Sequence, residues 1–213
     1  MTTPLRRLAY RYRWFYDLVT YVSALSVGGV GRLRRLGLQK LKSLLPYEAA
    51  VLDLCCGTGE AAAPWAKAGF TVTGLDLSPR ALSLGAERHP EMEFIEGLAE
   101  NPPFQEEQFL VIQMSLALHE FTQSERTNVL KTCHRLLRPG GWLVLVDLHP
   151  AGMLLKQPQR LFCALFETET AMGMLTANLL AELQEAGFAQ IEQDLFAGKA
   201  LQRLTAQRKI DGI

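Results

Sequence analysis

Long uncharged runs are missing from this 213-residue chain. The longest, Leu18 to Gly31, is 14 residues, short of the ~20 that a membrane-spanning helix needs. No leader is readable, because Arg6, Arg7, Arg11 and Arg13 break the first apolar stretch. Cysteine is scarce. Cys55, Cys56, Cys133 and Cys163 are too few and too irregularly spaced for a disulfide framework or a zinc site. The neighbours Cys55 and Cys56 cannot bridge each other without strain. A reducing, cytoplasmic setting without a metal is therefore expected. Internal repeats and low-complexity tracts are absent. So is any recognisable RNA module or an Asn/Asp-Pro-Pro-aromatic element of the base-flipping kind, and no nucleic acid is expected as partner.

Net charge is zero, with 22 Lys+Arg against 22 Asp+Glu. The balance hides an asymmetry. Residues 1–45 carry Arg6, Arg7, Arg11, Arg13, Arg32, Arg34, Arg35, Lys40 and Lys42 against Asp17 alone, so they are +8 and the remainder is −8. A basic, aromatic-rich arm on an acidic body has two readings. It is a helix pair packed on its own acidic domain, or it is drawn to an anionic surface such as membrane lipid. Apolar residues make up 48% and charged residues 21%, enough for one cored domain.

Leu5 to Leu25 and Arg32 to Leu45 read as two helices, an extension over residues 1–45 before a domain over 46–213. Pro46 stops the second. A regular alternation follows. Strands are expected at Ala50–Leu54, Phe70–Leu75, Met92–Glu96, Phe109–Met114 and Trp142–Val146. Between them lie a helix ending at Ala68, a helix capped by Ser78 with Pro79 in its first turn, and a helix from Gln123 to Leu137. Arg138-Pro139-Gly140-Gly141 reads as a turn. A helix ending at Gly187 leads to strands near Ala189–Leu195 and Ala200–Ala206, joined as a hairpin. The fold expected is α/β. A Rossmann-like, seven-stranded, mostly parallel sheet carries helices on both faces and an antiparallel last strand. Ligands of such sheets bind beyond the carboxyl ends of the strands.

Two loops there carry acids. Asp53-Leu54-Cys55-Cys56-Gly57-Thr58-Gly59-Glu60 follows the first strand and satisfies G-x-G-x-x-A through Ala62. Asp53 would repel a diphosphate and attract a ligand ammonium, which an amino-acid-bearing cofactor supplies. Asp76 follows the second strand, 23 residues after Asp53. That offset suits an acid accepting from both ribose hydroxyls.

Three segments together and in order resemble class I S-adenosylmethionine-dependent methyltransferases. Val51 to Gly59 resembles their first motif, Gly74 to Ser78 their second, and His134 to Trp142 their Leu-Arg-Pro-Gly-Gly segment. The likeness covers about residues 47–206. Tyr16-Asp17-Leu18 and the Cys-Cys-Gly-Thr form of the first motif also resemble the ubiquinone/menaquinone C-methyltransferase branch. The resemblance implies S-adenosylmethionine as cofactor. Its contacts would be Asp53, Cys55, Gly57, Thr58, Gly59, Asp76, Leu77, Leu98, Ala99 and Met114. Asp53 would lie near the methionine amino group, Asp76 on the ribose, and Leu77 on the adenine. This chain departs from the pattern where Cys55 replaces a glycine and where Leu98 and Leu110 stand in place of acids.

The acceptor side opens after the fourth strand, at Met114 to Phe121. His119 is the candidate base for a phenol, with Glu120 to orient it. Structural packing is the competing reading of His119. His149 is a second candidate, while His89 and His134 read as structural. The connection 149–170 contains Met153, Leu154, Leu155, Leu161 and Phe162, a lid over an apolar acceptor. Tyr16 and Tyr21 would close the other side. The expected partner is a small lipophilic aromatic molecule, quinol or phenol-like, with membrane contact through the basic arm. The competing functions are a non-catalytic S-adenosylmethionine-binding protein and an NAD-dependent oxidoreductase. The second of these lacks room for a separate substrate domain.

Overall fold

The computed structural model describes Ala24, residues 27–166 and residues 169–210. The strands are β1 (Ala50–Leu54), β2 (Thr71–Asp76), β3 (Glu93–Glu96), β4 (Phe109–Ser115), β5 (Leu137–Leu148), β6 (Phe188–Phe196) and β7 (Leu201–Arg208). They form one sheet in the order β3-β2-β1-β4-β5-β7-β6. The first five run parallel. β7 lies between β5 and β6 and is antiparallel to both. The expected sheet and its antiparallel last strand are both present.

Strand alternation sorts the core into two layers. Val51, Val72, Val111 and Val144 face one side, against Leu38 and Leu41 of α2 (Leu36–Leu41) and Trp65 of α3 (Ala63–Lys67). Leu52, Leu54, Ile112, Met114, Leu143 and Leu145 face the other. There they meet Val129, Leu130, Cys133 and Leu136 of α5 (Gln123–Leu136) and Leu179 and Leu183 of α8 (Leu179–Glu185). In sequence α4 (Pro79–Arg88) precedes α5, and α6 (Lys156–Phe166) and α7 (Glu169–Met174) lie between α5 and α8. Ser78 caps α4 as expected, accepting from the Ala81 N–H at 3.3 Å. Thr122 and Glu125 close a capping box on α5.

Three local expectations need correction. The helix expected over residues 32–45 is broken into α1 (Val30–Leu33), α2 and a 3₁₀ turn at Lys42–Leu44. Leu33 and Leu36, on either side of the break at Arg34-Arg35, both pack in the cluster containing Val146 and Leu201. The helix expected after the first glycine loop starts only at Ala63, because Gly57 (φ +54°) and Gly59 (φ +76°) hold left-handed turns. Arg138 to Gly141 do not interrupt the chain's extended course. Leu137 pairs with Phe109 and Trp142 with Val111, so these residues bulge out of β5.

Arg34 pairs with Glu60 at 2.8 Å, and Lys40 with Glu192 at 2.7 Å and Asp194 at 3.8 Å. Two of the five cations in this part of the basic segment thus pair with the chain's own acidic body. Among the described residues no helix is long and apolar enough to cross a membrane.

Candidate active site

β1 carries Asp53 into the layer beneath α2 and α3, where it is only 1% exposed. Gln113 is its register partner on β4. The Gln113 side-chain amide donates to Asp53 Oδ1 at 3.2 Å, and Gln113 Oε1 accepts from Trp65 Nε1 at 2.7 Å. Gly37 in α2 leaves the necessary space, since a Cβ there would stand 2.6 Å from Gln113 Oε1. Asp53 Oδ2 is buried and has no hydrogen-bond partner among the described residues. Burial pushes the Asp53 carboxyl up to about 7, the Gln113 hydrogen bond opposes this, and the charge of Asp76 adds to it. A buried acceptor left unmatched at a strand end calls for a donor. A ligand ammonium fits both the unmatched acceptor and the charge.

The chain then turns through Cys55, a non-glycine residue at φ +63°. A Cβ at Gly57 would meet nothing within 4 Å, so the backbone there is open to a close-lying ligand. The Gly57 N–H donates to Asp76 Oδ2 at 2.8 Å, and the Ser78 N–H donates to Asp76 Oδ1 at 2.9 Å. A carboxylate thus takes the loop amide that a diphosphate would need, which disfavours a dinucleotide. Each Asp76 oxygen keeps a second lone pair for a hydroxyl. Leu77 and Leu98 stand exposed just beyond the ends of the paired strands β2 and β3. Thr58 is half-buried in the loop. Ala99 and Met114 are buried in the core, so their side chains face the hydrophobic layer. Burial first, and the carboxylates of Asp53 and Asp76 after it, push the Cys55 and Cys56 thiols well above their ordinary range. Both shifts disfavour a thiolate.

Past β4 the 3₁₀ turn Leu118–Glu120 carries His119, which is buried. Its Nδ1 lies 2.7 Å from Asp147 Oδ1, near the end of β5. Asp147 Oδ2 accepts from the His119 backbone N–H at 3.2 Å, and Oδ1 also accepts from the Leu148 N–H at 2.7 Å. This carboxylate fixes the ring by two attachments. Glu120, expected to orient it, stands 3.6 Å from Nε2 and is partly exposed. Asp147 is the residue that sequence reading passed over. His149 instead bonds through Nδ1 to the Lys199 carbonyl at 2.8 Å, anchoring the β6–β7 connection. His134 packs edge-on against Phe188. Tyr16 and Tyr21 lie outside the described residues.

Two clefts lie to one side of these loops. One of about 410 Å³ is lined by Phe121, Arg126, Thr176, Asn178 and Glu182 among others. Its Arg126 is committed to Glu182 in a two-pronged pair at 2.8 and 3.0 Å. A second of about 250 Å³ adjoins Ala151, Lys156 and Arg160.

Comparison with known proteins follows the same lines. Residues 51–141 match a family model described as a methyltransferase domain. The chain is 41% identical over 208 residues to an uncharacterized methyltransferase of Synechocystis sp., covering 97% of both chains. It is 33% identical over 135 residues to a demethylmenaquinone methyltransferase of Chlorobaculum tepidum, spanning about half (54%) of that protein's length. The fold matches a crystal structure of a SAM-dependent methyltransferase from Methanosarcina mazei with a TM-score of 0.66. Identity there is 20%, over 81% of this chain and 98% of the other. Sheet order, acid-bearing loops and a relative matched along nearly the whole length agree, and the chain belongs to the class I S-adenosylmethionine-dependent methyltransferases, with S-adenosylmethionine as its cofactor.

Proposed function

We propose that this enzyme methylates a small lipophilic aromatic acceptor of the quinol or phenol class, and that His119 takes the acceptor's proton. The observation that carries the reading is the 2.7 Å contact between His119 Nδ1 and Asp147 Oδ1. An Nδ1–H donated to that carboxylate leaves the lone pair on Nε2, the nitrogen that accepts a hydroxyl proton. The charged ring then formed is offset by Asp147. Loss of that proton raises electron density on the acceptor's oxygen and its ring carbons, which makes either a better nucleophile. The name of the Chlorobaculum tepidum relative supports the quinol class.

S-adenosylmethionine, when bound, supplies an electrophilic methyl on a sulfonium. The chain's part is to hold and align. Asp53 Oδ2 would receive the ammonium, Asp76 the ribose hydroxyls, and Gly57, Thr58 and Gly59 would lie under the cofactor with Cys55. Leu77 and Leu98 flank the adenine, and the backbones of Ala99 and Met114 border it. Glu120, His149, Tyr16 and Tyr21 would be further acceptor contacts.

Isothermal titration with S-adenosylmethionine and with NAD comes first, followed by transfer of labelled methyl to a panel of naphthoquinols and phenols. Selective binding of S-adenosylmethionine, and labelled product that disappears in His119→Ala, are the expected results. Binding without product from any quinol or phenol overturns the acceptor class. Product formed equally well by His119→Ala overturns the role of the base.

A further inference from the structure

Directly after β5, on the side of the sheet where Asp147 meets His119, the chain presents an apolar tip. Met153 is 90% exposed and Leu154 is 92% exposed. Leu161 on α6 is exposed as well. Fraying does not explain this, because the base of the segment is pinned. The Ala151 N–H donates to Gln159 Oε1 at 2.8 Å, and Gln159 Nε2 donates to the His149 carbonyl at 2.7 Å and the Ala200 carbonyl at 3.2 Å. The Gly152 N–H donates to the Gly198 carbonyl at 2.9 Å. The backbone is held while two large apolar side chains are turned outward. Apolar side chains exposed together mark a contact surface.

Charge identifies what that surface meets. No Asp or Glu occurs between Asp147 and Glu167, and the cations there are Lys156 and Arg160. Both are exposed, and neither pairs with a carboxylate among the described residues. They rim the 250 Å³ cleft, whose remaining lining includes Pro150, Ala151, Met172 and Leu175. Cations beside an apolar slot, next to a protruding apolar tip, match the two layers of an anionic bilayer, phosphate outside and acyl chain within. The chain's own amino-terminal arm is a poor occupant. Arg6, Arg7, Arg11 and Arg13 against Asp17 alone would bring like charge to like.

We infer that residues 150–161 form a lipid-contact surface for anionic membranes, with Met153 and Leu154 entering the acyl boundary and Lys156 and Arg160 on lipid phosphate. The inference deepens the lipophilic-acceptor reading, since such an acceptor dissolves in the bilayer that this surface would contact. It rests on that reading for its purpose alone, and lipid binding is measured without methyl transfer, so the two can fail separately.

The test is co-sedimentation of the full chain with phosphatidylcholine vesicles, with and without phosphatidylglycerol. Binding is expected only to the anionic vesicles. Lys156→Gln with Arg160→Gln should weaken it roughly 30-fold, about fivefold per charge. Met153→Ser with Leu154→Ser should weaken it about tenfold or more. Titration with S-adenosylmethionine should be unchanged in both, showing that the variants fold. Leu154→Trp adds a reporter, whose fluorescence should be quenched by brominated anionic lipid beyond that of the unaltered chain. Equal sedimentation of all variants would assign membrane binding to the arm and overturn the surface. Absence of quenching would also overturn it. A dimer in light scattering that Leu154→Ser dissolves would give the face to a second copy and overturn it as well.

Discussion

Asp147 Oδ1 lies 2.7 Å from His119 Nδ1, and the same carboxylate holds the His119 backbone N–H through Oδ2 at 3.2 Å. One buried acid therefore sets both the position and the tautomer of the ring. It comes from β5, while the histidine comes from the turn after β4, and the pairing of these strands up to Ser115 and Val146 brings them together.

That pairing predicts unequal losses. His119→Ala removes the proposed proton acceptor and should lower kcat by about 10²–10⁴. Asp147→Asn keeps the shape but can no longer balance the charged ring, so kcat should fall by a comparable factor. Affinity for S-adenosylmethionine should stay within about twofold in both, because neither residue lies in the glycine loop. Glu120→Gln should change kcat by less than about tenfold, since its oxygen stands 3.6 Å from the ring. Steady-state kinetics with separate titrations of the cofactor decide this. A larger loss in Glu120→Gln than in Asp147→Asn would exchange their roles.

Asp53 should link stability and cofactor affinity to pH. Its carboxyl rises from 3.8 to about 7 on folding. Within that window the folded chain keeps a proton that the unfolded chain has lost. Stability of the cofactor-free protein should therefore fall as pH rises from about 4 to about 7, by as much as about 4 kcal/mol, and level off above. Cofactor affinity should move the other way. An ammonium beside Oδ2 favours the ionised form, so binding expels the proton and tightens up to about tenfold per pH unit below 7. Calorimetry at pH 6 in buffers of different ionisation enthalpy should register the released proton. Asp53→Asn should bind weakly and lose the pH dependence of both quantities. A wild-type affinity flat between pH 6 and 7 would contradict this account.

Cys55 occupies a backbone conformation suited to glycine, at φ +63°. The left-handed region costs a side-chain-bearing residue about 1–2 kcal/mol. Cys55→Gly relieves that strain but gives back part of it through the freer unfolded chain, and Cys55 also packs partly against the core. A net gain of about 0.5–1 kcal/mol is expected in urea unfolding. A loss would mean that the thiol's packing outweighs the strain.

Much of the fold was readable because local signals and tertiary demands agree. Val51-Leu52 and Val72 lie in short apolar runs that end in an acid, and Ser78-Pro79 is both a cap and a first turn. Asp53 and Asp76 could be found from their place at strand ends. Asp147 carries the same local signature, an acid closing the run from Leu143 to Val146, yet its partner lies 28 residues away. Only the adjacency of β4 and β5 reveals the contact. Gln113 reads as a polar interruption of a strand. Its partners Trp65 and Asp53 are 48 and 60 residues distant. The break between α1 and α2 has no local mark, because arginine is a good helix former.

Phe94 sets the last expectation, through its ring against Gly59, Gly74 and Gly85. Glycine within a helix such as α4 normally invites replacement, since alanine there gains about 1 kcal/mol. At Gly85 the opposite is expected. A Cβ would stand 2.6 Å from Phe94 Cε1 and 2.8 Å from Cζ, too close for a ring that leaves no room for a Cβ at Gly59 either. The ring cannot retreat without pressing on the cofactor loop. Gly85→Ala should therefore destabilise by about 1–3 kcal/mol, overpacking outweighing propensity, and should weaken cofactor binding through displacement of Gly59. Phe94→Leu removes the obstructing ring atoms. Against that background Gly85→Ala should become neutral or stabilising, a coupling of more than about 1 kcal/mol in a double-mutant cycle. Additive effects of the two substitutions would show that the helix shifts freely and that Phe94 does not gauge the distance between α4 and the loop.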